Sequence, residues 1–209
     1  MDTTASHVHV IDDDAPAREA LVDLLMRNGY FASAYASAEA FLGRAEGLPN
    51  SGCVISDVNM PDMSGLDLLR ALKAEAVDLP VLMLTGAADV GMAVEALKGG
   101  AAEFIEKPVR SDVLLPALAA VVADQSAKLD RIRARQEAAD RLASLSPREA
   151  EVLAQVVSGD SNKEIARDLS LSPRTVEAYR AKVMLKLDAD SLPDLVQKTI
   201  HLKRDDPAG

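Results

Sequence analysis

Short apolar runs alternate with longer amphipathic ones through the first half of the chain. The run His7-Val8-His9-Val10-Ile11 has strand length, and from Ala15 to Asn28 the residues Leu21, Leu24 and Leu25 share one side of a helix that Gly29 stops. Phe31 to Tyr35 predicts a second, weaker strand, after which Ser37 can cap a short helix to about Arg44. Cys53 to Ser56 predicts the third strand and Gly65 to about Ala76 the helix after it. Pro80 to Leu84 predicts the fourth strand, followed by a helix from about Ala88 to Lys98 that Gly99-Gly100 closes; Ala102 to Glu106 predicts the fifth. Repeated strand–helix units of this size predict a doubly wound, five-stranded parallel sheet with helices on both faces and ligands at the carboxyl ends of its strands. His7 and His9 alternate with Val8 and Val10, which predicts one polar surface on the first strand.

After Lys107-Pro108 the pattern becomes helical. From about Val113 to Arg141 there is no Gly and, beyond Pro116, no Pro. Val122, Leu129 and Gln136 share one heptad position, and Gln125, Ile132 and Ala139 share another three residues on. A seam holding two Gln and one Ala is too weak to pair helices alone, so the stretch reads as a plain linker helix or a marginal seam. Pro116 would break a helix begun at Ser111, so a start near Leu115 is expected. Ser146-Pro147-Arg148-Glu149 carries the signals of a capped helix start. Helices are then expected over Asn162–Leu169, Pro173–Leu187 and about Leu192–Leu202, the last containing His201. Ser170 to Pro173 is a short turn between the middle two, with a fresh N-cap at Ser172. Two short helices so joined, the second basic, predict a helix-turn-helix over about 161–180. The organisation expected is therefore a first domain over 6–122, a linker helix over 123–141 and a separate all-α, four-helix domain over 142–207.

Charge separates the two parts further. The whole chain of 209 residues carries −10, and residues 1–123 account for all of it, with 18 Asp/Glu against 8 Lys/Arg; the remainder holds 15 of each. Ser172 to Leu187 bears Arg174, Arg180, Lys182 and Lys186 against Glu177 alone, a local +3 that suits nucleic acid. No apolar run approaches the ~18 residues that span a membrane, and the N-terminus lacks the order of a secretory signal. A cytoplasmic, non-membrane protein is expected. The single Cys53 excludes an internal disulfide and reads as an inert core thiol. No His or Cys metal set is evident.

The chemistry lies at the strand ends. Asp12, Asp13 and Asp14 follow the first strand and Asp57 ends the third, which is its neighbour in a doubly wound sheet. Several carboxylates in one pocket repel unless a divalent cation neutralises them, and an all-oxygen donor set suits Mg²⁺. Thr85 ends the fourth strand with a hydroxyl, and Lys107 follows the fifth with an ammonium. A carboxylate, a metal, a hydroxyl and a lysine meeting at one point would bind a phosphoryl group and stabilise its transfer onto Asp57.

VIDDD, DVNMP, the TG after strand four and the KP after strand five resemble the receiver domain of bacterial two-component response regulators, a flavodoxin-like fold. LSPREAEVLAQVVSGDSNKEIARDLSLSPRTVEAYRAKVMLKL resembles the LuxR-type DNA-binding domain, and the pairing is most similar to the FixJ/NarL branch. The resemblance implies a sensor histidine kinase that phosphorylates Asp57, with Mg²⁺ held by Asp12, Asp13, Asp57 and the backbone carbonyl of Asn59. It implies that Thr85 and Lys107 contact the phosphoryl oxygens, that Lys107-Pro108 is cis, and that Phe104 is the aromatic that reorients with Thr85. A phosphorylated homodimer on promoter DNA would follow, with RNA polymerase a further candidate partner. The fourth helix, whose surface pairs subunits in that family, carries a loosening Gly91.

On the reading helix, Arg174, Thr175, Glu177, Ala178 and Ala181 lie near the front, where Glu177 can accept from cytosine and Ala178 can touch a thymine methyl. Lys163, Arg174, Tyr179, Arg180, Lys182 and Lys186 suit phosphates. Val176, Val183 and Leu187 are expected to face inward. Beyond accepting phosphate on itself, and at most slowly releasing it, the chain is not expected to be an enzyme. Haloacid-dehalogenase-type hydrolases also place an Asp after an apolar strand, but their second Asp corresponds to Asn59, which cannot cycle a proton. A receiver acting as a phosphate-insensitive binding module is the remaining alternative.

Overall fold

A computed structural model of the chain describes residues 6–45, 51–86 and 90–204. The first compact unit is built from β1 (His7–Ile11), α1 (Ala15–Arg27), β2 (Phe31–Tyr35), α2 (Ala38–Ala45), β3 (Cys53–Asp57), α3 (Gly65–Ala74), β4 (Val81–Thr85), α4 (Val90–Gly99), β5 (Glu103–Glu106) and the start of α5 (Ser111–Ala143). The start expected for α4 at Ala88 lies outside the described residues. All strand pairs are parallel, in the order β2-β1-β3-β4-β5. The order reverses between β1 and β3, the crevice where such sheets bind ligands.

Strand alternation supplies two cores. Val8, Val10, Cys53, Ile55, Leu82 and Leu84 face Leu21 and Leu25 of α1 and Leu114 and Leu118 of α5. Ile11, Val54, Val81 and Met83 face Phe41 of α2 and Leu68, Leu69 and Leu72 of α3 on the other side. Cys53 is buried among them, and burial pushes its thiol well above the ordinary range, which suits an inert core residue.

His9 departs from the expected polar surface. It is buried, because β1 lies inside a sheet covered on both faces. Its ring stacks on His7 at 4.6 Å and tilts against Phe41 at 5.3 Å, while its Nδ1 lies 3.4 Å from the Tyr35 hydroxyl. Burial, helped by repulsion from His7, pushes its pKa from 6.5 down to about 4. The fold therefore holds His9 neutral, whereas the unfolded chain protonates it below pH 6.5. No cost arises above that pH; below it stability falls, reaching about 2 kcal/mol of loss from this group at pH 5. Urea unfolding of wild type and His9→Phe should show an advantage for the variant that widens between pH 7 and 5. A difference independent of pH would remove His9 as the source.

The helix α5 begins at Ser111, not near Leu115, and contains Pro116. A proline there costs about 3 kcal/mol, but Leu114 and Leu118 on either side are fully buried, each contributing about 1.5–3 kcal/mol. The carbonyl of Arg110 also accepts from the backbone N–H of Val113 and Leu114, starting the helix early. The boundary between the compact units falls inside α5, between Leu129 and Asp130. Gln125 Nε2 donates to the Asp78 carbonyl at 2.6 Å and Lys128 Nζ meets its carboxylate at 2.7 Å, which ties this part of α5 to the first unit. Val122 packs against the first unit's core. The supposed seam thus loses its first two positions to the first unit.

The second unit holds the rest of α5 with α6 (Pro147–Ser158), α7 (Asn162–Asp168), α8 (Pro173–Lys186) and α9 (Leu192–Arg204). Ser146 and Ser161 form reciprocal capping boxes with Glu149 and Glu164, and Ser172 caps α8 through the Thr175 N–H. Val152, Leu153, Ile165, Val176, Val183, Leu187 and Leu195 make its core. The expected domain end at 207 lies outside the described residues.

Candidate functional site

Residues at four strand ends come together at the crevice. Asp57, the last residue of β3, sits in register with Leu84 of β4, so Thr85 is one step further along. Asp12 is fully buried and Asp57 nearly so, while Asp13 is exposed. Carboxylate oxygens of all three lie within 4.8 Å of one another. Lys107 Nζ bridges two of them, at 2.8 Å from Asp12 Oδ2 and 2.7 Å from Asp57 Oδ2. Burial alone would lower the Lys107 pKa; its bonds to Asp12 and then Asp57 outweigh that and raise it. Three carboxylates against one ammonium leave the pocket at −2, the charge a divalent cation cancels.

Local backbone contacts hold the acids in place. The Asp14 N–H donates to Asp12 Oδ1 at 2.9 Å, and the Asn59 N–H to Asp57 Oδ1 at 3.2 Å. Asn59 is exposed, and the Lys107-Pro108 bond is cis. Thr85 is fully buried, and Phe104 on β5 is half-buried against the core beside Met83. Gly91 lies exposed in the first turn of α4.

On the second unit, α7 and α8 form the expected helix-turn-helix. Arg174, Glu177, Ala178, Ala181 and Lys182 of α8 and Lys163 of α7 are exposed, and Thr175 is half-buried with its hydroxyl 2.7 Å from that of Ser172. Three of the expected phosphate contacts are engaged within the unit. Lys186 Nζ binds Glu149 Oε2 at 2.6 Å and the Ser144 carbonyl at 2.9 Å. That bond, with the capping N–H of Ser146, holds the Glu149 carboxyl down to about 2. Arg180 donates to Asn162 Oδ1 at 2.6 Å, tying α8 to the start of α7. Tyr179 packs on the core with Lys182 Nζ 5.8 Å from its ring centre.

The sequence matches the response regulator receiver domain family over residues 8–119 and the luxR family of bacterial regulatory proteins over residues 143–199. It is 45% identical to the transcriptional regulatory protein FixJ of Bradyrhizobium diazoefficiens over 197 residues, covering 93% of this chain and 95% of that one. The chain belongs to the FixJ-like response regulators. FixJ of Rhizobium meliloti is 44% identical over 193 residues, 92% of this chain and 94% of its own. Among solved structures, the response regulator StyR matches with a TM-score of 0.85 at 32% identity, covering 94% of this chain and all of that one. Full-length FixJ from B. japonicum matches at 0.61 and 42% identity, covering 97% and 99%.

This response regulator is accordingly a phosphorylation-dependent transcription regulator, with a receiver domain that answers a sensor kinase and a LuxR-type domain for DNA. Two supports of its pocket were not read from the sequence. Arg18 donates to the Asp12 carbonyl at 2.6 Å, pinning the β1–α1 turn. Gly65 opens α3 so close beneath Asp57 that a Cβ there would lie 2.4 Å from the Asp57 carbonyl oxygen. Only glycine lets α3 start against the phosphoacceptor candidate. A lone Arg in a helix and a Gly after Ser64 carry no signal of these long-range roles.

Proposed function

We propose that Asp57 accepts a phosphoryl group from a histidine kinase and that the modified receiver pairs with a second copy, placing two LuxR-type domains on a two-fold promoter site. The observation that carries this is the Lys107 ammonium bridging Asp12 and Asp57 at the switch point of the sheet. Asp57 Oδ attacks phosphorus as the phosphorus–nitrogen bond of a phosphohistidine breaks, giving an acyl phosphate. Lys107 Nζ, bonded to Asp57 Oδ2, would hold a phosphoryl oxygen, and the Thr85 hydroxyl at the end of β4 would donate to another. Asp12, Asp13, Asp57 and the Asn59 carbonyl are the groups that would hold Mg²⁺, which when bound neutralises charge developing on the transferred group.

The acyl phosphate carries about −1.5 to −2 charges in place of the carboxylate's −1, a net gain of about −0.5 to −1 at Asp57. Lys107 then has a stronger partner than Asp12, and repacking of Thr85 and Phe104 would alter the α4–β5 surface where copies pair. The protein turns over no separate substrate, works in the cytoplasm, and would meet RNA polymerase at the promoter. The test is acetyl phosphate with Mg²⁺, followed by light scattering and DNA-binding isotherms. Mass should double and affinity for promoter DNA should rise; if both stay unchanged, the reading is wrong.

A further inference from the structure

The outward face of α8 ends in an unexpected side chain. Leu185 is 83% exposed, the most exposed of the large apolar residues among those described. At 100° per residue it lies opposite the buried stripe Val176, Val183 and Leu187, and in line with Arg174, Ala178 and Ala181 at positions i, i+4, i+7 and i+11. All four of these residues are exposed. Ala178 and Ala181 keep the middle of the stripe low, so the helix axis can approach base edges there. Leu185 stands about 16 Å beyond Arg174 along the helix.

It lies outside the second unit's core. A neighbour in the core would be buried, and a solvent position at the end of a recognition helix more cheaply holds a polar residue. The cations nearest it in sequence are Lys182, which lies toward Tyr179, and Lys186, which is turned inward to Glu149. The end of the reading stripe is therefore apolar rather than charged, and in the major groove the apolar feature that distinguishes bases is the 5-methyl group of thymine.

We infer that Leu185 is a specificity-determining contact that selects a thymine at one edge of each half-site by packing on its 5-methyl group. This rests on α8 being the reading helix, and the experiment separates the two claims. Duplexes enriched from a random-sequence pool by the phosphorylated full-length protein are the probe, with each thymine replaced in turn by deoxyuridine, which lacks only the methyl. Wild type should lose about four-fold in affinity per half-site at one thymine, the worth of one methyl group withdrawn from an apolar contact. Leu185→Ala should lose less than half of that factor at the same position while keeping the wild-type response at the others. Arg174→Ala should weaken binding to every duplex. If Arg174→Ala weakens binding and Leu185→Ala still responds to deoxyuridine as wild type does, the Leu185 assignment fails alone. If neither variant alters binding, α8 is not the reading helix and both claims fall.

Discussion

Asp57→Asn protein should fold, and a phosphoryl donor should place no label on it under conditions that label wild type to completion. The amide is neutral and a poor nucleophile, so no acyl phosphate forms, whereas Asp12 keeps its bond to Lys107. The pocket's charge falls from −2 to −1, which removes part of the repulsion between its acids. The variant should therefore unfold at an equal or higher urea concentration than wild type while binding Mg²⁺ more weakly. Intact mass after treatment with acetyl phosphate reads the first outcome, and a Mg²⁺ titration of the urea midpoint reads the second. Label appearing at the wild-type level on the variant would move the phosphoacceptor elsewhere.

Lys107→Met should be damaging in a different way. It leaves the fully buried Asp12 facing Asp57 without the ammonium that joins them. Removing one partner of a buried pair costs about 3–5 kcal/mol; the lower end applies, because Lys107 keeps 24% of its side-chain surface in water. Phosphorylation should slow by about 10², as when one donor to a developing anion is removed. Mg²⁺ should restore much of the stability and little of the rate, since it neutralises the resting acids but does not replace the lysine's donor position. Equal urea midpoints and equal labelling rates for variant and wild type would show that Lys107 has no part in the site.

Local signals made most of the fold legible. The strands, the serine caps at 37, 146 and 172, and the glycine stops lie within a few residues of what they control, and the acids gathered at the crevice because strand ends in a doubly wound sheet must meet there. What escaped depended on partners far along the chain. His9 looked polar on a strand whose second covering, Phe41, belongs to another element. Gln125 read as a heptad position until Asp78 claimed it, 47 residues away. Lys186, expected at a phosphate, also pairs with Glu149, 37 residues back. Pro116 was judged by its local cost, although the burial of Leu114 and Leu118 decides the start of α5.

The inward bonds of Lys186 and Arg180 bear on how strongly one copy can hold DNA. With those side chains tied up and the exposed Arg167 paired with Asp168 at 3.0 Å, Lys163, Arg174 and Lys182 are the exposed basic groups that α7 and α8 leave for phosphates. Three neutralised phosphates give one copy a poor grip at the ionic strength of a cell. Under the pairing proposed above, a solitary copy would hold its operator feebly, and two joined copies would multiply that weak hold into an occupied promoter.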